Sequence, residues 1–266
     1  MRPSRREGAF TLLELLVGMA LVGLILTALL SLNLSTNRSA SSLQVRNDLL
    51  AETQTAQNYV VGKLRDAAYV FPAGTTLVLG TSGGYSTRKP GTTSSGTWTV
   101  GTDPIIAFVL PPRATTPGTC STSESTTTGP KFCYTFYAYY PVQRNVMTGS
   151  SGATGANNPG ADATNDASAW VLMEYRRNYA SITALSSSLA SGISSGTGLM
   201  VLDYLRPPAS GEKLFDQTDS TSVGVSSVTL QLATQRLGGQ TVLVPATGRH
   251  SVTVYPRNVG KPVVPN

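Results

Sequence analysis

The sequence predicts an α+β fold in which one long N-terminal helix, transmembrane in its first half, packs on an antiparallel β-sheet. Three observations predict it. No charge occurs between Glu14 and Arg38, so Leu15 to Asn37 is a run of 23 uncharged residues. Leu49, Ala56, Val60, Leu64 and Ala67 then recur at spacings of three, four and seven, giving one apolar helical face. Beyond residue 75, short runs rich in Val, Thr, Tyr and Phe alternate between two faces and are divided by Gly/Ser/Thr stretches. One helix followed by strands, with no βαβ alternation, argues for an antiparallel sheet with the helix segregated to one side.

The first segment is read from its charges. As a helix, the uncharged run covers a bilayer core of roughly 30 Å. The basic leader Met1-Arg2-Pro3-Ser4-Arg5-Arg6-Glu7 favours a cytoplasmic N-terminus. Glu14 stands at the head of the apolar run, where a carboxylate costs about 2.5–3.5 kcal/mol on insertion scales and so marks a function. A secretory signal has an apolar core of about 7–15 residues and then a small-x-small cleavage site. This run is longer and ends in Ser35-Thr36-Asn37-Arg38 without such a site. A plain signal anchor explains the length and the charges, but gives no reason for Glu14 just after Phe10-Thr11-Leu12-Leu13.

The helical pattern continues to about Tyr69, with Arg46, Asp48, Glu52, Lys63, Arg65 and Asp66 mostly off the apolar face. Phe71-Pro72-Ala73-Gly74 then ends it. Gly18, Gly23 and Gly62 are weak points along its length. The expected strands are Thr75–Leu79, Thr97–Val100, Ile105–Leu110, Phe132–Tyr140, Trp170–Arg177, Leu199–Tyr204, Val223–Arg236, Thr241–Val244 and Ser251–Tyr255. Phe132, Tyr134, Phe136 and Ala138 alternate with Cys133, Thr135, Tyr137 and Tyr139, the period of two of a strand. Thr81–Gly96 and Thr148–Ser168 read as mobile Gly/Ser/Thr/Asn-rich loops, and Ala180–Gly198 as loop or short helix.

The segment Gly8-Ala9-Phe10-Thr11-Leu12-Leu13-Glu14-Leu15-Leu16-Val17 resembles the class III signal of type IV prepilins. In that family a prepilin peptidase cuts after a small residue, usually Gly. The new N-terminal residue, most often Phe, is N-methylated, and a Glu is fifth in the mature chain. Two registers fit. Cutting after Gly8 makes Ala9 first and Glu14 sixth; cutting after Ala9 makes Phe10 first and Glu14 fifth. The second brings Phe10, Thr11 and Glu14 all into register and is preferred, with Ala9 in place of the usual Gly.

The resemblance divides the chain into a cleaved leader (1–9), a transmembrane and filament-core helix (10–37), its amphipathic continuation (38–70) and a β-rich extracytoplasmic head (71–266). It implies a type IV pilin-like fold and a single-pass inner-membrane protein before assembly, then a periplasmic or surface location in a pilus or pseudopilus. The implied partners are the prepilin peptidase, the inner-membrane assembly platform, other major and minor pilins, and membrane lipid before assembly; DNA or a surface ligand is an open addition. Leu64-Arg65-Asp66-Ala67-Ala68-Tyr69 and the C-terminal Ser251-Val252-Thr253-Val254-Tyr255-Pro256-Arg257-Asn258 are similar to segments of large minor pilins of the PilW type and of J-type pseudopilins of type II secretion.

Export implies an oxidising compartment, and there the two cysteines, Cys120 and Cys133, are expected to form a disulfide. With one distant histidine they cannot complete a tetrahedral metal site, so neither metal nor cofactor is expected. Charged residues make up 13% of the chain, which suits an extracytoplasmic domain with uncharged polar loops. Removing the leader takes away three Arg and one Glu and lowers the formal charge from +6 to +4. That excess forms no Lys/Arg stripe that would argue for nucleic acid. His250 has no Gly-x-Ser-x-Gly partner and reads as a surface or strand-edge imidazole. Asp162 and Asp166 lack the loop spacing of a calcium hand, and Gly238-Gly239 reads as a turn. No catalytic set emerges.

Three readings follow: a minor pilin that initiates or caps a pilus, a pseudopilin of a secretion or competence system, and an adhesin or DNA-binding module on a pilin stem. Size favours the first two, since a 257-residue mature chain is large for a shaft subunit. Intact-mass and N-terminal analysis of the processed protein is expected to find N-methyl-Phe10. An Ala9 start would establish the other register, and an uncut Met1 in cells with active peptidase would overturn the prepilin reading.

Overall fold

A computed structural model of the chain describes residues 12–80, 84–93, 96–113, 119–120, 129–181, 183–185, 189, 192–193, 196–220 and 224–257. Two compact units meet between Val45 and Arg46. A single α-helix, α1 (Leu12–Arg65), runs through that boundary and unbroken through Gly18, Gly23 and Gly62.

In the first unit the helix from Leu15 to Leu32 is apolar but for Thr27 and Ser31, and among the described residues nothing buries it. Leu15, Leu16, Val22, Ile25, Leu29 and Leu30 are all exposed, and this is the one described helix long and apolar enough to cross a membrane. A helix of that kind is stable only where its surroundings are apolar too. Both of its threonine hydroxyls are satisfied within the helix. Thr27 donates to the Leu24 carbonyl at 2.9 Å and Thr36 to that of Leu32 at 2.9 Å, as lipid would require.

In the second unit α1 becomes one-sided: Leu49, Thr53, Ala56, Gln57, Val60 and Leu64 are its buried positions. Short strands follow: β1 (Tyr69–Val70), β2 (Thr76–Val78), β3 (Thr97–Thr99) and β4 (Ile106–Leu110). The long strand β5 (Tyr134–Gln143) leads into the short helix α2 (Arg144–Thr148), then β6 (Trp170–Tyr179) and β7 (Thr197–Leu205). The chain ends in β8 (Phe215–Ser220), β9 (Gly224–Leu232), β10 (Thr234–Arg236), β11 (Val242–Val244) and β12 (His250–Val254).

Seven of these form one sheet in the order β1-β4-β5-β6-β7-β10-β11, all antiparallel. A three-stranded sheet, β12-β9-β8, and the pair β2-β3 complete the domain. On one side of the large sheet Ala56, Val60, Leu64 and Ala67 meet Ile106, Phe108, Tyr137, Tyr139 and Leu172, together with Val228, Leu230 and Leu232 of the small sheet. On the other, Phe136, Ala138, Tyr140, Val171 and Met173 meet Leu77 and Trp98 of the β2-β3 pair, and Met147. Both faces are therefore covered, and every residue of β4 is buried. That explains why β4 reads as a continuous apolar run while β9, with one face on the core, alternates.

Four expectations need correction. The helix ends at Arg65 and not near Tyr69, because the Ala68 amide donates to the Val109 carbonyl and Tyr69–Val70 pair with β4. The run Val223–Arg236 is broken at Ala233, where the chain steps from the small sheet to the large one and the Ala233 carbonyl accepts the Arg206 amide. Strand β8 was not anticipated: Phe215-Asp216-Gln217-Thr218-Asp219-Ser220 is polar enough to read as loop.

Fourth, the stretch Thr148–Ser168 is not a loose loop. Its Asn165 side chain donates to the Leu237 carbonyl and accepts the Leu237 amide, and Asn157 bridges to β7 in the same way. Arg144, 1% exposed, anchors the rest. It pairs with Asp203 at 3.0 Å and with Asp166, and donates to the Pro159 carbonyl. Burial opposes its charge, but the two carboxylates outweigh that and raise its pKa. A register irregularity in β7 lies opposite Trp170 and Leu172, and Tyr204 there has a positive φ of 52°. Such a conformation is strained for a non-glycine residue, and its neighbour Asp203 is held by the ion pair.

Leu64→Ala removes fully buried side-chain volume at the helix–sheet contact and is expected to destabilise the β-rich unit by about 2–5 kcal/mol. Denaturant unfolding followed by tyrosine and tryptophan fluorescence measures it, with Leu29→Ala, in the exposed apolar stretch, leaving that transition unchanged.

Candidate functional site: the apolar helix and its carboxylate

Gly8, Ala9, Phe10 and Thr11 lie outside the described residues. Glu14 is described, in the first turn of α1, where a carboxylate is favourable toward the positive end of the helix dipole. Beside it are Leu12, Leu13, Leu15 and Leu16, all exposed. A shallow groove runs down one flank of the helix from Glu14 through Gly18 and Val22 to Leu26, with Leu15, Met19 and Gly23 beside it. The steps of four residues keep this stripe on one side. A Cβ built on Gly18 or Gly23 would meet nothing within 4 Å, so each glycine leaves open space on an apolar surface. Small residues in such a surface let another helix approach closely.

In the second unit the polar residues singled out from sequence have structural work. Asp162 accepts from the Tyr204 hydroxyl at 3.0 Å and from Asn165, while Asp166 pairs with Arg144. Burial raises the Asp162 pKa, but these hydrogen bonds and two backbone N–H groups outweigh it and hold the carboxyl below its usual value. Among the described residues no group of three potential metal ligands occurs. His250 opens the edge strand β12 opposite Leu232, and its carbonyl accepts from Gln57 of α1. Trp98 is fully buried between the β2-β3 pair and the large sheet, its ring 5.1 Å from that of Tyr140.

One arrangement gave no signal in the sequence. Glu174 of β6 is fully buried and accepts from the Tyr139 hydroxyl at 2.5 Å. Burial and then the Glu174 charge raise the Tyr139 pKa, and the same two causes push Tyr59 of α1 up to about 12. The trace of this arrangement in the sequence is a carboxylate set inside the apolar first half of β6, Trp170-Val171-Leu172-Met173-Glu174-Tyr175.

Cys120 and Cys133 are joined by a disulfide, with their Cα atoms 4.9 Å apart. The bond closes the connection between β4 and β5, which the Arg113 amide also pins by donating to the Lys131 carbonyl at 2.8 Å. The Arg257 amide donates to the Arg65 carbonyl at 2.9 Å. This contact ties the end of α1 to the chain just after β12; Asn258 lies outside the described residues.

Against known proteins, a family model described as "Prokaryotic N-terminal methylation motif" matches residues 4–30. No curated protein and no solved structure matches the chain. The match takes in the leader from Ser4, Phe10, Glu14 and the apolar run as far as Leu30. It supports a protein of type IV pilin or pseudopilin type, with processing by prepilin peptidase and assembly with other pilins. The apolar helix fits the single-pass membrane anchor of such proteins.

Cys120→Ser opens the β4–β5 connection and is expected to lower the stability of the exported domain by up to about 3 kcal/mol, leaving membrane insertion unchanged. Thermal unfolding with and without reductant measures this: the wild type should lose the same increment on reduction, and the variant nothing.

Proposed function

We propose that the chain is a minor pilin that initiates or caps a type IV pilus, supporting its assembly and through it adhesion, motility or DNA uptake. The observation that carries this reading is the combination of Glu14 in the first turn of α1 with an apolar surface that nothing among the described residues covers. Cleavage after Ala9 creates a positive amine on Phe10. When the subunit leaves the membrane, that amine is enclosed among apolar helices, and a lone charge there is strongly unfavourable. The Glu14 carboxylate of an adjacent subunit is its complement, with Thr11 in the same assembly segment.

Such a pair sets the axial step, because only one vertical offset brings Glu14 beside a neighbour's amine. It also eases extraction from lipid, since a costly intramembrane carboxylate gains an ionic partner. The glycine notches at Gly18 and Gly23 let neighbouring helices come close enough for the offset to be well defined. A tip position is supported by the head, in which a three-stranded sheet and the β2-β3 pair are added around the seven-stranded one. That bulk is harder to accommodate in a closely packed shaft.

Glu14→Val is expected to be cleaved, methylated and inserted normally, yet to be absent from sheared filaments and from complexes with other minor pilins. Wild-type amounts of the variant in those fractions would refute the pairing role. A pseudopilin of a secretion or competence system is the second reading, since Leu64–Tyr69 is similar to segments of J-type pseudopilins as well as of PilW-type minor pilins. It predicts retention of the wild-type chain in the cell envelope when surface filaments are sheared away.

A further inference from the structure

A cleft of about 330 Å³ opens beside the disulfide, where the end of α1 meets β5 and β6. Four cationic side chains line it: Lys63, Arg113, Lys131 and Arg176. They come from three parts of the fold, α1, the β4–β5 connection and β6, and the fold brings each one there for a local reason. Lys63 is in the last turn of α1, with its Nζ 5.3 Å from the centre of the Tyr137 ring. Tyr137 and Arg176 are direct cross-strand partners in β5 and β6. Arg113 and Lys131 face each other across the ends of the β4–β5 connection, fixed by the hydrogen bond from the Arg113 amide to the Lys131 carbonyl. The Cys120–Cys133 bond closes that connection two residues after Lys131.

The remaining lining suits an anion as well. Thr135 and Asn178 are cross-strand partners, and the Thr135 hydroxyl donates to Asn178 Oδ1 at 3.0 Å. The Asn178 amide nitrogen, a donor, is the end available to a ligand. Leu110 and Pro111 supply an apolar wall. Two acids lie near these four cations, Glu174, buried with its oxygen on Tyr139, and Asp66, and both act on Lys63. Burial, and next the charge of Arg113, lower the Lys63 pKa; Arg176 adds to this while Glu174 and Asp66 oppose it. Cations that raise each other's energy in a partly enclosed cleft are stabilised by a multi-oxygen anion, which guanidinium forks and ammonium groups bind through charge-assisted hydrogen bonds.

We propose that this cleft binds a phosphate- or sulfate-class oxyanion, either free or carried on a glycan chain. The volume lies at the low end for ligand pockets, enough for one such group and the sugar that bears it. It is a concavity and not a stripe of cations along a surface, which separates it from the footprint of a nucleic-acid duplex. The inference is independent of filament assembly, because the cleft lies wholly within the second unit and its test uses unassembled protein.

The test is calorimetric titration of the full chain in neutral detergent, first with inorganic phosphate and then with a sulfated polysaccharide, at ionic strength held constant with chloride. Saturable binding of phosphate is expected. The double variant Arg113→Gln/Lys131→Gln should bind at least ~10-fold more weakly, a change of about 1.4 kcal/mol. Lys213→Gln, which removes the same type of charge outside the cleft, should bind as the wild type does. Tighter binding of the polysaccharide than of phosphate would identify a chain-borne group as the source, and equal or weaker binding a free anion. Absence of saturable phosphate binding, or equal loss in Lys213→Gln, would overturn the proposal. If the double variant loses the near-ultraviolet dichroism of the folded domain, the single exposed change Lys131→Gln carries the comparison under the same criterion.

Discussion

One helix in this chain answers to two different surroundings, and the rest of the protein follows from that constraint. From Leu12 to Leu32 its side chains are apolar but for Glu14, Thr27 and Ser31, and among the described residues nothing buries them. From Leu49 onward the same helix buries one strip, Ala56, Val60 and Leu64, against a sheet and leaves the rest to solvent. A helix uniformly apolar over its first half is stable only in lipid or among other such helices. Glu14 is the exception within that half, and a carboxylate kept in an apolar segment calls for a positive partner when lipid is left behind.

The β-rich unit is organised by the strip that α1 lays on it. Because the helix and the small sheet cover one face of the seven-stranded sheet and the β2-β3 pair covers the other, the middle strands lie in a core on both sides. Polar groups at such depth must be partnered. Glu174 places one oxygen on Tyr139 of the neighbouring strand, and Arg144, paired with Asp166 and Asp203, locks the irregular segment between α2 and β6. The segment between α2 and β6 is held by side chains and not by a ladder, with Asn157, Asn165 and Asp162 each bridging to another part of the fold.

Much of this was legible in the sequence, and the exceptions have physical causes. The apolar run and the buried helix face follow from charge spacing and a 3.6-residue period, both local signals. Strands β4, β5, β6, β7, β9 and β12 were visible from alternation or apolar density. The helix end was misread because Ala67, Ala68 and Tyr69 suit a helix, whereas pairing with Val109 and Phe108 decides the matter. Strand β8 is polar because its partner β9 supplies most of the apolar contact, and long-range pairing leaves no local trace. Of the candidate site, Glu14 was visible as a charge in the wrong solvent. The Arg144 network and the cationic cleft assemble residues distant in sequence, so neither forms a motif.

The central claim is that Glu14 meets the N-terminal amine of a neighbouring subunit once assembled. Zero-length carbodiimide coupling of isolated filaments or tip complexes, followed by peptide mass spectrometry, tests it directly. The account predicts an intersubunit amide between the Glu14 carboxylate and the N-terminal residue of an adjacent pilin, absent from unassembled protein in membranes. Recovery of Glu14 unmodified in assembled fractions, where other salt-bridged carboxylates do couple, would contradict it.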